Sequence, residues 1–214
     1  MPSASSTCRT SSPLAWQWTD LMSIVVALRQ QDRITMAADT LAVFGEGMAI
    51  DESNARAVKI VPIGDAILGG TGWAVYDDIL DHFLANAQPP RLHNRRDIYS
   101  FFLEFWKALR ETYSLVNEQA VTKETPFGDL DATFLLASPG GLFKISSDMG
   151  VTEFHRYHAI GSGSEYAIGA LHVLTADASK SSDDIVRTAC QAAMAVDTFC
   201  GGSVDVHVVE CKDA

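Results

Sequence analysis

The stretch "DLMSIVVALRQQDRITMAADT", Asp20 to Thr40, decides how the chain is read. Within it, "SIVVALR" and "RITMAAD" are β-branched, apolar runs separated by the polar "QQD", the pattern of a first hairpin. A methionine and a serine, Met22 and Ser23, stand directly before the first strand, although the chain begins 21 residues upstream. Those upstream residues are rich in Ser and Thr and have no hydrophobic period, so residues 1 to 22 are expected to be a leader or a segment upstream of the true start. If the chain starts at Met22 or is cut after it, Ser23 carries both a hydroxyl and a free α-amine. An α-amine has a reference pKa of about 7.7–8.0, so near neutral pH it can take the hydroxyl proton, and one residue is then nucleophile and base together. The plainer reading is that Met-Ser is a common dipeptide on an edge strand.

Outward from this hairpin the pattern continues as strands, two helices, strands, two helices and a strand. "AVKIVPI" and "DAILGG" form a second hairpin. Tyr76, Ile79, Leu80, Phe83 and Leu84 then recur at helical spacing up to a Gln-Pro-Pro break at 88–90. A longer helix carries Ile98, Phe101, Phe102, Phe105, Trp106, Leu109 and Tyr113, a stripe wide enough to lie between layers. "ATFLLAS", "GLFKIS" and "VTEFHRY" read as strands around the "SPGG" turn, followed by helices over about 164–176 and 183–199 and the strand "SVDVHVVE". Paired helices between mostly antiparallel strands fit a layered α+β sandwich better than an alternating βαβ sheet.

The bulk numbers set limits. At 214 residues, 47% hydrophobic, the chain fits one domain with a core that needs no disulfide staples. Cys8, Cys190, Cys200 and Cys211 show no CxxC spacing, which favours reduced thiols, and residues 1 to 21 lack the parts of a secretory signal, so a cytoplasmic protein is expected. A formal net charge of −11 argues against nucleic acid or an anionic membrane as partner.

Three further stretches lie where a nucleophile at Ser23 needs support. Asp39 follows the strand "RITMAA", and Lys59 sits in "AVKIV", where a buried lysine needs a carboxylate partner. Without context, an edge lysine reaching solvent is the likelier alternative for Lys59. "GGTGWA", Gly69 to Ala74, runs from a strand toward a helix, where free N–H groups and the helix dipole suit an oxyanion; as a phosphate loop it lacks the GK[ST] ending. Ser162 and Glu165 have the spacing of a capping box, so Ser162 is also a candidate helix cap. Asp77, Asp78, Asp81 and His82 read as a solvated helix face rather than metal ligands.

Taken together, Ser23, "AAD", "VKIV", "GTGWA", "GSGSEYA" and "DTFCGG" resemble a proteasome β-type subunit of the HslV-like peptidase family, over residues 23 to about 210. The resemblance implies a four-layer αββα N-terminal-nucleophile hydrolase sandwich and a threonine-type endopeptidase in its serine variant, working without metal or cofactor. Its site residues carry over as Ser23 (nucleophile), Asp39 and Lys59 (electrostatics), the Gly72 N–H (oxyanion), Ser162 and Asp197 (positioning of the amine), with Gly70 and Asp78 at the substrate pocket. It further implies a homo-oligomeric double ring acting on peptides or unfolded proteins, and allows an ATP-dependent unfoldase as partner. The sequence departs from the family in having serine for threonine at the nucleophile, Cys200 for a serine, and a longer interval between Asp39 and Lys59, expected to be an enlarged loop lining the pocket. A non-catalytic ring subunit that keeps its leader is the alternative, while a conventional serine hydrolase finds no GxSxG here.

Overall fold

Strands β1 (Val25–Gln30) and β2 (Arg33–Asp39) are apolar and buried through Val25–Leu28 and, but for Thr35, Ile34–Ala38, because both of their faces are covered there. Val25 and Ala27 point to one layer, and Ile24, Val26 and Leu28 to the other. A computed structural model describes residues 22–44, 48–72, 74–86, 90–113, 130 and 132–211; the reading of residues 1 to 21 as a leader, Trp73, and most of the Gln-Pro-Pro break lie outside them. The remaining elements are β3 (Ala42–Phe44), β4 (Met48–Ile50), β5 (Ile60–Ile63), β6 (Ala66–Gly72), α1 (Val75–Ala85), α2 (Arg95–Glu111), β7 (Ala132–Ser138), β8 (Gly141–Ile145), β9 (Val151–Phe154), β10 (Tyr157–Ile160), α3 (Ser164–Leu174), α4 (Ser182–Met194) and β11 (Val204–Glu210).

Two antiparallel sheets result, ordered β10-β1-β2-β11 and β5-β6-β7-β8-β9, with β3-β4 as a separate ribbon. Between them Val25, Ala27, Met36 and Ala38 of the first sheet meet Ile60, Ile67, Leu135 and Ala137 of the second. Helices α3 and α4 close the outer face of the first sheet through Ala167, Leu171, Ile185 and Ala189. Helices α1 and α2 close the second, α1 through Ile79 and Leu80 and α2 through Ile98, Phe102, Phe105 and Leu109, each worth about 1.5–3 kcal/mol when removed from water. This is the four-layer αββα sandwich, an α+β fold, that the sequence resemblance implies.

The structure corrects the sequence reading in local details. "VTEFHRY" is two strands: β9 pairs with β8 in the second sheet and β10 with β1 in the first, so the chain changes sheets at His155 and Arg156. Lys59 stands one residue before β5 rather than inside it. The last helix ends at Met194, short of 199, because Asp197 folds back to accept the Phe199 N–H at 2.9 Å, an Asx turn that competes with the helix. The long interval between Asp39 and Lys59 carries the β3-β4 ribbon and a turn, which is strapped to the start of β11.

Candidate active site

Antiparallel registry assembles the site. Val25 lies opposite Ala38 on β2 and opposite Ile160 on β10, so the residues just before β1 face Asp39 on one side and Gly161–Ser162 on the other. Ser23, only 5% exposed, is pinned there. Its carbonyl oxygen accepts from the Gly163 N–H at 3.4 Å and from the Ser162 hydroxyl at 3.5 Å, while its own N–H donates to Ser162 Oγ at 3.4 Å. The Ser23 hydroxyl donates to the Met22 carbonyl oxygen. Gly161 has a φ of +99°, and a Cβ there would collide with the Ser23 carbonyl oxygen, so the approach of these two segments depends on glycine.

Asp39 is fully buried and completely engaged. Its Oδ1 accepts from the Ile24 N–H at 2.9 Å and from Lys59 Nζ at 2.6 Å, and its Oδ2 from the Gly201 N–H at 2.9 Å. The Lys59 side chain is 9% exposed and that of Asp39 0%, which rules out the solvent-reaching edge lysine. Strand β5 is indeed an edge of its sheet, but the lysine before it is turned across the sandwich to the other sheet's aspartate. A buried ion pair is thus bonded to the peptide that joins Ser23 to Ile24.

Ser162 is not a helix cap: α3 begins at Ser164 with Gly163 at its N-cap and no side-chain capping bond, because the Ser162 hydroxyl is spent on Ser23. From Ser162 a chain of contacts leads on to Cys200 Sγ at 3.9 Å and from that thiol to Asp197 Oδ2 at 3.4 Å. Asp197 therefore reaches Ser23 only through Cys200 and Ser162. Desolvation first, then the charges of Asp39 and Asp197, push the Cys200 thiol up to about 12, so it is a neutral hydrogen-bonding group rather than a nucleophile.

On the second sheet, Gly70 donates its N–H to the Lys59 carbonyl at 3.0 Å, which ties β6 to the lysine, and exposed Gly72 ends the strand opposite Ala132. The space left by the missing Gly70 side chain faces the Phe134 ring and Asp77, whose Oδ1 lies 3.9 Å from where a Cβ would sit. Asp78 follows Asp77 on the same first turn of α1. Although Asp77 has solvent access, crowding by the surrounding protein and then the charge of Asp78 push its carboxyl up to about 6, against the pull of Lys59. Sequence reasoning passed over Asp77 as part of a solvated helix face; its signal was proximity to a glycine-opened strand end, visible only in space. Among the described residues no group of three or more His, Cys, Asp or Glu side chains is placed to hold a metal ion, and no helix is long and apolar enough to cross a membrane.

No family model and no curated protein matches the chain. Solved structures do. BPH of Thiobacillus denitrificans, a bacterial proteasome homologue, superposes with a TM-score of 0.79 at 29% identity, covering 89% of this chain and 100% of that one. The chain resembles the proteasome β-type, HslV-like family. The same Thiobacillus protein in complex with epoxomicin gives 0.78 at 28% identity, again over 89% and 100% of the two chains. HslV of Trypanosoma brucei, at 20% identity, shares the fold with a TM-score of 0.60 over 87% of this chain and 99% of that one.

Proposed function

We propose that the chain is a self-compartmentalising peptidase in which Ser23, freed of residues 1 to 22, attacks the scissile carbonyl while its α-amine takes the hydroxyl proton. The observation that carries this reading is the buried Asp39–Lys59 pair bonded to the Ser23–Ile24 peptide. Lys59 supplies the positive charge beside the developing alkoxide, and Asp39 holds that lysine and the backbone of the nucleophile in place. Ser162, one contact from the Ser23 nitrogen, positions the amine, with Asp197 acting behind it through Cys200. The Gly72 N–H receives the oxyanion. Gly70 leaves the neighbouring pocket open, and Asp77 with Asp78 gives it negative charge, so large or basic substrate side chains fit it. Residues 23 to 214 form the peptidase domain, and the family resemblance supports a homo-oligomeric double ring in the cytoplasm that degrades peptides or unfolded proteins, with or without an ATP-dependent unfoldase.

A second reading has an observation of its own. In the uncut chain the Ser23 nitrogen is a peptide N–H and its hydroxyl is engaged by Met22, so a chain that keeps its leader is a non-catalytic ring subunit. Epoxomicin separates the two, and its complex with the Thiobacillus protein supports the choice of probe. The nucleophile's oxygen adds to the ketone and the α-amine then opens the epoxide, closing a six-membered ring that only an N-terminal nucleophile can complete. An adduct bonded through both Ser23 atoms, absent from Ser23→Ala, is the expected result. A bond through oxygen alone, an adduct at another serine, or full activity in chains whose intact mass retains the leader would refute the mechanism.

A further inference from the structure

Asp39 is held on three sides, and one of these holds depends on a turn far away in sequence. Its Oδ2 is fixed by the Gly201 N–H at 2.9 Å, and the turn that carries this N–H, Gly201 to Ser203, folds around Thr40. The Thr40 N–H donates to the carbonyls of Gly201 and Ser203, and the Ser203 N–H donates to Thr40 Oγ1 at 2.8 Å. Gly202, at φ +76°, lets the turn close on that hydroxyl. These contacts bring the turn to Thr40, and a residue of the long interval between Asp39 and Lys59 closes over them. One carboxylate oxygen of Glu52 accepts from the Thr40 hydroxyl at 3.1 Å and the other from the Ser203 hydroxyl at 2.7 Å. Arg56, four residues on, pairs with both Glu52, at 3.4 Å, and Asp205 near the start of β11.

We propose that Glu52 is a positioning residue for the Asp39–Lys59 pair: it clamps the Gly201–Ser203 turn to Thr40 and so keeps the Gly201 N–H on Asp39. This rests on the catalytic reading of that pair. The clamp spans the hydroxyls of Thr40, just after β2, and Ser203, just before β11, at the end where these paired strands run on into their loops. The Ser203 hydrogen bond first, with Thr40 and Arg56 adding to it and partial burial opposing, holds the Glu52 carboxyl below its ordinary value, so it is an acceptor for both hydroxyls at neutral pH. Without it, the turn keeps only its direct bonds to Thr40, and Asp39 gains freedom to swing while remaining paired with Lys59. The pair then sits less firmly against the Ser23–Ile24 peptide. The effect falls on the chemical step and not on substrate binding, since Glu52 contacts neither Gly70 nor the first turn of α1 in any of the bonds it makes.

The test uses the full chain, with Glu52→Ala and Glu52→Gln compared with wild type. Glutamine keeps a carbonyl for the Thr40 hydroxyl and offers an N–H to Ser203, so it restores the clamp without the charge. Hydrogen exchange at the Gly201 and Thr40 amides should quicken about tenfold in Glu52→Ala and stay near wild type in Glu52→Gln. In protein that epoxomicin labels at Ser23, kcat for a peptide substrate should fall about three- to tenfold in Glu52→Ala with KM within about twofold, and Glu52→Gln should recover most of it. Unchanged exchange in Glu52→Ala overturns the clamp whether or not the protein is active. Faster exchange with unchanged kcat overturns the positioning role, as does a loss in both variants that merely follows a lower melting temperature. If wild type never reacts with epoxomicin, the peptidase reading fails, and with it the catalytic purpose of Glu52, while the exchange result still decides the clamp.

Discussion

Replacing Lys59 by alanine strikes the centre of the proposed mechanism, and the structure says how hard. The Nζ–Oδ1 distance is 2.6 Å, and neither side chain has appreciable access to water. Removing one partner of such a pair leaves a buried charge behind, at a cost of about 3–5 kcal/mol. Asp39 keeps the N–H groups of Ile24 and Gly201, which places the expected loss near the lower end. For a domain of this size that corresponds to a fall of about 6–12 °C in melting temperature. Activity should fall much further than stability at the assay temperature, by about 10²-fold or more, because the cation beside the nucleophile's oxygen is gone. The double variant Lys59→Met with Asp39→Asn separates the two effects: it removes the uncompensated charge, so much of the melting temperature returns while activity does not. Thermal melts, peptide hydrolysis and a mass measurement of the assembled particle, run together on all three proteins, decide the matter. A Lys59→Ala protein that hydrolyses peptides at the wild-type rate, or a double variant that regains activity along with stability, would refute the reasoning.

Two other outcomes follow from the same geometry. Since the Asp77 carboxyl is raised to about 6, it is charged in the folded protein only above that pH; the preference for basic over apolar substrates should grow as pH rises from 5 to 7.5, and Asp77→Asn should flatten the profile. The sign for stability runs the other way: the raised pKa favours the folded state at low pH, and that contribution is lost as pH climbs through about 6. An equal preference at both pH values in the wild type removes Asp77 from the pocket. For Cys200, the thiol reaches Ser162 and Asp197 only at 3.9 and 3.4 Å, so serine, with a stronger donor, should hold the network better and raise kcat about two- to tenfold. The wild-type thiol, pushed up to about 12, should resist iodoacetamide at neutral pH; rapid inactivation that Cys200→Ser abolishes contradicts this account.

Much of the fold was legible in local chemistry. Runs rich in apolar and β-branched residues mark β1 and β2 as strands, and the aromatic spacing of α2 marks a helix between layers, because these periods are carried by neighbouring residues. Ser23, Asp39 and Lys59 each have a plainer reading alone, and they could be named together only because the motifs around them resemble one family's in order. What local pattern does not carry is which neighbour a residue meets. "VTEFHRY" reads as one strand, but pairing with β8 on one side and β1 on the other divides it between two sheets. Ser162 has the spacing of a cap, yet its hydroxyl is taken by Ser23, 139 positions away in sequence, before the helix can use it. Asp77 looks like any acidic residue on a solvated helix until β6 brings the bare Gly70 beside it. Glu52 reads as loop charge until the turn before β11 arrives with a second hydroxyl. The type of each element is set by interactions within a few residues, and these the sequence by itself determines. The protonation and pairing of polar groups depend on partners from other elements, 20 residues away for Asp39 and Lys59 and 162 for Asp39 and Gly201, and only the packed tertiary structure decides which partner arrives.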